Sequence, residues 1–154
     1  MSEDWPIIKV KDVADVSYGY TAKASHEDIG PKFLRITDIQ EGNVDWDAVP
    51  HCPINGDDLN KHRLNNKDIV FARTGATTGK SYLVSDPPLS VAASYLIRLR
   101  LTSSTILPDF VSLFFQTENY WERIRKGTTG SAQGGFNASK LSDLTFPLPP
   151  LPEQ

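Results

Sequence analysis

The chain has 154 residues, 39% hydrophobic and 23% charged, with 16 Lys+Arg against 19 Asp+Glu and a formal net charge of −3. That length suits one domain able to bury roughly two-thirds of the surface its unfolded form exposes, and the composition is that of an ordinary globular protein. No run approaches the roughly 18 apolar residues of a membrane span, the opening MSEDWPIIKVKD is acidic where a secretory leader is basic and then apolar, and the lone Cys52 cannot close an internal disulfide, so a cytoplasmic protein with no membrane partner is expected.

After Trp5, the stretch IIKVKDVADVSYGYTAK sets Ile8, Val10, Val13 and Val16 in a short apolar pattern and ends in a polar turn at Gly19, which predicts a strand, one helical turn and a loop. KFLRITDI, residues 32–39, alternates Phe33, Arg35 and Thr37 with Leu34, Ile36 and Asp38 and predicts a half-buried strand. QEGNVDWDAVPHCPINGDDLNKH is rich in Gly, Pro, Asn and Asp and reads mostly as loop. It holds His51, Cys52 and His62, but zinc ligands come at pair spacings such as CxxC or HxxxH, which do not occur, so no metal is expected. DIVFAR (68–73), SYLV (81–84) and SVAASYLIRLRL (90–101) carry the strongest strand signals, the last alternating Leu99 and Leu101 with Arg98 and Arg100. Up to residue 101 the reading is strand and loop.

From Pro108 the period changes. PDFVSLFFQTENYWERIRKG places Phe110, Val111, Phe114, Trp121 and Ile124 at helical spacings, begins Pro-Asp and stops at Gly127, which predicts a buried helix or a broken pair, with its aromatics in the core rather than stacked on bases. The tail GTTGSAQGGFNASKLSDLTFPLPPLPEQ predicts a Gly/Ser/Thr loop, a short helix capped by Asn137 and a Pro-rich exit.

FARTGATTGKSYLV, residues 71–84, raises the question of a phosphate-binding loop. A Walker A loop needs four residues between its first Gly and the Gly-Lys pair, because backbone N–H groups must wrap a phosphate before the helix begins. Only Ala76, Thr77 and Thr78 separate Gly75 from Gly79 and Lys80, and Ser81 leads into Tyr82-Leu83-Val84 and then Asp86-Pro87-Pro88, a strand and turn where a helix is required. A β-hairpin with a Gly-rich tip is expected instead. That tip crowds Arg73, Thr74, Thr77, Thr78, Lys80 and Ser81 around two glycines, a chemistry suited to phosphate oxygens and base edges, since glycine permits close approach while the side chains supply donors. The polar stretch from Lys126 to Lys140 repeats the composition with Thr128, Thr129, Ser131, Gln133 and Asn137. Charge allows a local basic patch: residues 1–68 carry 8 basic and 13 acidic side chains, residues 69–154 carry 8 and 6.

Taken in order, WPIIKVKDVADVSYGYT, FLRITDIQEGNV, NNKDIVFARTGATTGKSYLV, LPDFVSLFF and GGFNASKLSDLTFPLPPLPEQ make nearly the whole chain resemble one target-recognition half of a type I restriction-modification specificity subunit. The resemblance implies an α+β fold, an irregular strand-rich body with a C-terminal helical part, that reads one half of a bipartite target on double-stranded DNA. It implies no catalytic residue and no cofactor, and partners in the methyltransferase subunits and, through them, the restriction subunit. It divides the chain into a recognition domain, 1–146, and a Pro-rich lead-in, 147–154, to a spacer helix that this sequence does not contain. On this reading Arg73, Lys80 and Lys126 contact phosphate, or for Arg73 a guanine edge, and Gln133 and Asn137 face adenine, Asn137 serving equally well as a helix cap. Thr77 and Thr78 touch phosphate or a thymine methyl, while Tyr20, Thr21 and Lys23 form a third edge. In the simpler alternative Arg73 pairs with Asp68, and Lys32 and Arg35 are solvated strand residues.

Two other classes fit less well. Single-chain amino-methyltransferases carry Asn/Asp/Ser-Pro-Pro followed by an aromatic that stacks on a flipped base, whereas DPPL at 86–89 ends on Leu89, and no Gly-rich cofactor fingerprint is present. PLPPLP, 147–152, satisfies the PxxP pattern of a polyproline ligand but has no basic neighbour.

Overall fold

The unbroken apolar run Ile69-Val70-Phe71-Ala72 sends apolar side chains to both faces of a sheet, so that sheet must be covered on two sides. A computed structural model shows how; it describes residues 5–75, 78–128 and 136–154, apart from the side chains of residues 125–128 and 153. In chain order the elements are β1 (Ile7–Lys9), the single turn α1 (Val10–Val13), β2 (Ala14–Tyr18), β3 (Lys32–Leu34), the short β4 (Ile39–Gln40) and β5 (Asn43–Val44), α2 (Gly56–His62), β6 (Ile69–Ala72), β7 (Ser81–Leu83), β8 (Ser90–Ala92), β9 (Leu96–Leu101), α3 (Pro108–Phe114), α4 (Glu118–Thr128), α5 (Ala138–Asp143) and β10 (Thr145–Pro147). The class is α+β, as expected.

The centre is an antiparallel sheet in the order β2-β9-β6-β7. Ile69, Phe71, Ile97 and Leu99 face the helical side, where Val111, Phe115, Tyr120, Ile124, Phe136, Leu141 and Phe146 complete the larger core. Val70, Tyr82 and Leu96 face the other way, onto Leu34, Val49, Leu64 and Ala92. Arg98 and Arg100 lie on this second face but are not free: Arg100 holds the buried carboxylate of Asp68 through two bonds of 2.9 and 2.8 Å, and Arg98 reaches the Lys61 carbonyl at 3.1 Å.

Several elements differ from the sequence reading. The loop expected after the first helical turn is β2, paired with β9 in the register Asp15↔Arg100, Val16↔Leu99 and Ser17↔Arg98. SVAASYLIRLRL is two strands: β8 pairs parallel with β3, the chain turns with Leu96 N–H bonded to the Ala93 carbonyl at 2.9 Å, and β9 joins the central sheet. KFLRITDI stops being a strand at Leu34, because the Asp38 carboxylate accepts from the Arg35 backbone at 2.9 Å and from its guanidinium at 3.1 and 3.0 Å, closing a 3-10 turn. α2 lies inside the segment read as loop; Asn55 caps it through the Asp58 N–H at 2.8 Å, with Asp57 and Asp58 in the first turn and Lys61 and His62 in the last, complementing the helix dipole.

The helical stretch from Pro108 is the broken pair. It breaks where Thr117 N–H bonds the Phe114 carbonyl at 3.0 Å and its hydroxyl accepts from Tyr120 N–H at 3.3 Å, and α4 runs to Thr128, past the expected stop at Gly127. Asn137 caps α5 through the Lys140 N–H at 2.8 Å. The Pro-rich end closes on the beginning: β10 pairs with β1, Ile8 opposite Phe146, and Leu148 N–H donates to the Pro6 carbonyl at 2.9 Å. Pro149 is buried, and a 3-10 turn follows at Leu151–Glu153. No described helix is long and apolar enough to cross a membrane.

Candidate nucleic-acid interface

β6 and β7 form the expected hairpin, with Ile69 opposite Leu83 and Phe71 opposite Ser81. The ladder continues toward the tip through Ala72 N–H to the Lys80 carbonyl at 2.9 Å and Gly79 N–H to the Ala72 carbonyl at 2.7 Å. Gly75 (φ 79°) and Gly79 (φ 89°) both take the left-handed conformation that a side chain disfavours. Thr78 folds inward, its hydroxyl donating to the Gly75 carbonyl at 2.7 Å.

The tip is supported from behind by α4. Tyr120, fully buried, donates its hydroxyl to the Gly79 carbonyl, and burial pushes its pKa up, so that it stays a donor at any physiological pH. A Cβ on Gly79 would lie 3.0 Å from Ile124 Cγ2 and 3.4 Å from Trp121 Cζ3, so a side chain there would have to push these residues of the helix aside.

Arg73 leaves the strand with its N–H on the Tyr95 carbonyl at 3.1 Å and its guanidinium 4.5 Å above the ring centroid of Tyr18, a cation–π contact. It does not pair with Asp68, whose carboxylate is taken by Arg100 and by the Asn65 N–H at 2.8 Å. The Tyr18 hydroxyl in turn accepts from Ala138 N–H at 3.1 Å, at the first turn of α5. One tyrosine thus joins the base of the hairpin to the residue after Asn137.

The remaining expected residues are dispersed. Thr74 and Lys80 are exposed at the tip, with no acidic partner to Lys80 among the described residues. Ser81 does not belong to the tip's surface: it is 7% exposed and its hydroxyl accepts from Gln116 Nε2 at 3.3 Å. Tyr20 turns toward α2, its hydroxyl 3.4 Å from Asp58 Oδ2 and its ring 5.2 Å from that of His62, with Thr21 and Lys23 exposed after it. Thr77, Thr129, Ser131 and Gln133 lie outside the described residues, and Lys126 and Thr128 are placed by backbone alone at the end of α4. Lys32 and Arg35 are occupied as well, Lys32 donating to the Val49 carbonyl at 2.9 Å.

Sequence reasoning overlooked Tyr18 and Tyr95, 40% and 58% exposed beside Arg73. The aromatic residue before Gly19 was the available signal for the first; Tyr95 was hidden inside a run read as one strand. Elsewhere, no described group of three or more His, Cys, Asp or Glu could hold a metal ion. Asp86 to Leu89 form the turn between β7 and β8, with Asp86 N–H on Asn66 Oδ1 at 2.8 Å.

Residues 2–154 match the type I restriction modification DNA specificity domain. The chain belongs to that family. This specificity domain is 28% identical over 161 residues to the type I restriction enzyme MjaVIII specificity subunit of Methanocaldococcus jannaschii, covering 99% of this chain and 37% of that protein. It is 25% identical over 148 residues to the type I restriction enzyme EcoKI specificity subunit of Escherichia coli, covering 92% of this chain and 32% of that one. The fold resembles the crystal structure of the HsdS subunit from Thermoanaerobacter tengcongensis with a TM-score of 0.70 at 16% identity, over 97% of this chain and 34% of that one. The specificity domain therefore spans about a third of the length of the proteins it matches.

Proposed function

We propose that this chain is the target-recognition half of a type I specificity subunit, reading one half of a bipartite sequence on double-stranded DNA. It places methyltransferase subunits, and through them the restriction subunit, on that sequence, and leaves bond-making chemistry to them. Family membership supports the class of activity. The observation that carries the reading is the hairpin tip, whose backbone is fastened to α4 while Arg73 and Lys80 have no carboxylate partner among the described residues. Cations that are neither ion-paired nor buried, held beside two glycines at a hairpin tip, suit a polyanion with readable base edges. The overall charge of −3 is compatible with this because the acidic excess lies in residues 1–68.

The test is selection from a randomised duplex library at two salt concentrations, with the methyltransferase subunit present and absent. A single half-site sequence should be enriched. Arg73→Ala and Lys80→Ala should weaken binding at unchanged melting temperature, and the salt slope should fall by about 0.9 for each phosphate that the variant no longer neutralises. Enrichment of no sequence even with the partner present would refute recognition, and unchanged affinity in both variants would remove the hairpin from the interface.

A further inference from the structure

Resting on that reading, we propose that Arg73 reads a guanine and that Tyr18 is its positioning residue, joining the hairpin and the start of α5 into one reading edge.

The placement follows from the sheet. Ile97 pairs with Tyr18 on one side and with Phe71 on the other, so Tyr18 and Arg73, two residues on from Phe71, project from the face that α5 covers. The guanidinium lies over the Tyr18 ring at 4.5 Å. A cation held against a ring on one side keeps N–H donors turned away from it, and no described residue accepts a hydrogen bond from the Arg73 guanidinium. A planar fork presented this way matches the O6 and N7 acceptors of guanine.

Direction separates a guanine from a phosphate. A phosphate contact needs charge and little direction, which Lys80 supplies from the same tip, whereas a bidentate base contact needs the fork held in one plane. Tyr18 is placed to restrain the fork because its own ring is fixed at both ends: by the β2 backbone, paired with β9, and by its hydroxyl, which accepts from Ala138 N–H at 3.1 Å. That N–H is among those a helix start leaves without an internal partner, so the bond serves both elements. An arginine already laid on a ring has given up much of its rotamer freedom in folding, so DNA binding costs it less entropy.

The experiment is the same library selection on the chain with its methyltransferase partner, comparing wild type with Arg73→Lys, Tyr18→Phe, Tyr18→Leu and the double variant Arg73→Lys with Tyr18→Leu, each checked by thermal melting. Wild type should favour a G·C pair at one position by roughly tenfold to hundredfold. Arg73→Lys, which keeps the charge, should erase that preference and leave the other positions as they were. Tyr18→Leu should lose most of the same preference, while Tyr18→Phe, which keeps the ring but not the hydroxyl bond to Ala138 N–H, should lose only part of it. The double variant should be no worse at that position than Arg73→Lys, since the two residues act as one unit. A tyrosine that only supports the fold would weaken all sequences equally and add to the arginine variant. The proposal is overturned if Arg73→Lys lowers affinity evenly across sequences, as a phosphate contact would, or if Tyr18→Leu leaves the preference intact. A wild type that enriches no sequence removes the recognition reading itself, and this inference with it.

Discussion

Tyr120→Phe removes one oxygen from the contact that fastens α4 to the hairpin tip and changes nothing else in the packing. The ring remains 5.0 Å from Phe115 and 5.4 Å from Trp121, centroid to centroid. What disappears is the donor to the Gly79 carbonyl, which lies in a buried residue. A buried acceptor left without its partner costs about 1–3 kcal/mol. For a chain of 154 residues each kcal/mol moves the melting temperature by about 2–4 °C, so a fall of about 2–12 °C is expected. In urea the midpoint should drop with the slope unchanged. The hydroxyl also leaves a signature at high pH. It ionises near 10 in the unfolded chain and higher in the folded one, because burial disfavours the phenolate. As pH rises past about 10 the unfolded state releases this proton first, so the hydroxyl's contribution to stability is full below that value and falls above it, by up to about 1.4 kcal/mol per pH unit. The variant lacks the group and should fall less steeply, a residual slope coming from Tyr82, Tyr20 and the Cys52 thiol, all of which burial pushes up. A urea midpoint matching wild type, together with an identical alkaline slope, would show that the Gly79 carbonyl does not depend on Tyr120.

Gly79→Ala combines a φ of 89° with a Cβ only 3.0 Å from Ile124, so it should cost more than the about 1–2 kcal/mol of the left-handed conformation alone; Gly75→Ala, at φ 79° with open space around it, should cost no more than that, and paired urea titrations compare them. Asp68→Asn leaves Arg100 without its carboxylate at a site 2% exposed and should destabilise by about 3 kcal/mol in the same assay; a change within about 0.5 kcal/mol would mean the pair adds nothing. Cys52 is fully buried and its thiol is pushed up to about 11, so a thiol reagent at pH 8 should leave the native protein untouched and titrate one thiol in urea; rapid native labelling would contradict that burial.

β6, β7, the broken helical pair and the Asn137 cap were readable because local signal and tertiary role agree there. α2 was readable too, in Asn55, the acidic first turn and the basic last turn, but the surrounding Gly and Pro outweighed those signs. β2 was not: ADVSY alternates only weakly, and it is a strand because β9 offers it an edge. The turn after β8 contains no Gly or Pro, so only the two sheets that β8 and β9 join reveal it. The site divides the same way. The tip's composition is local and legible, whereas Tyr120 is 41 residues from Gly79 and Tyr18 is 120 residues from Ala138, separations that no periodicity encodes.

The pairing of β1 with β10 has a mechanical consequence. Residues 7–9 and 145–147 run side by side in opposite directions, and the bond from Leu148 N–H to the Pro6 carbonyl is the outermost rung of that seam. Tension applied through Pro6 and Leu148 pulls across the rungs one at a time instead of shearing them together. The seam then opens like a zipper, and the four-stranded sheet behind it carries no load until the innermost rung, from Val10 N–H to the Leu144 carbonyl, has parted.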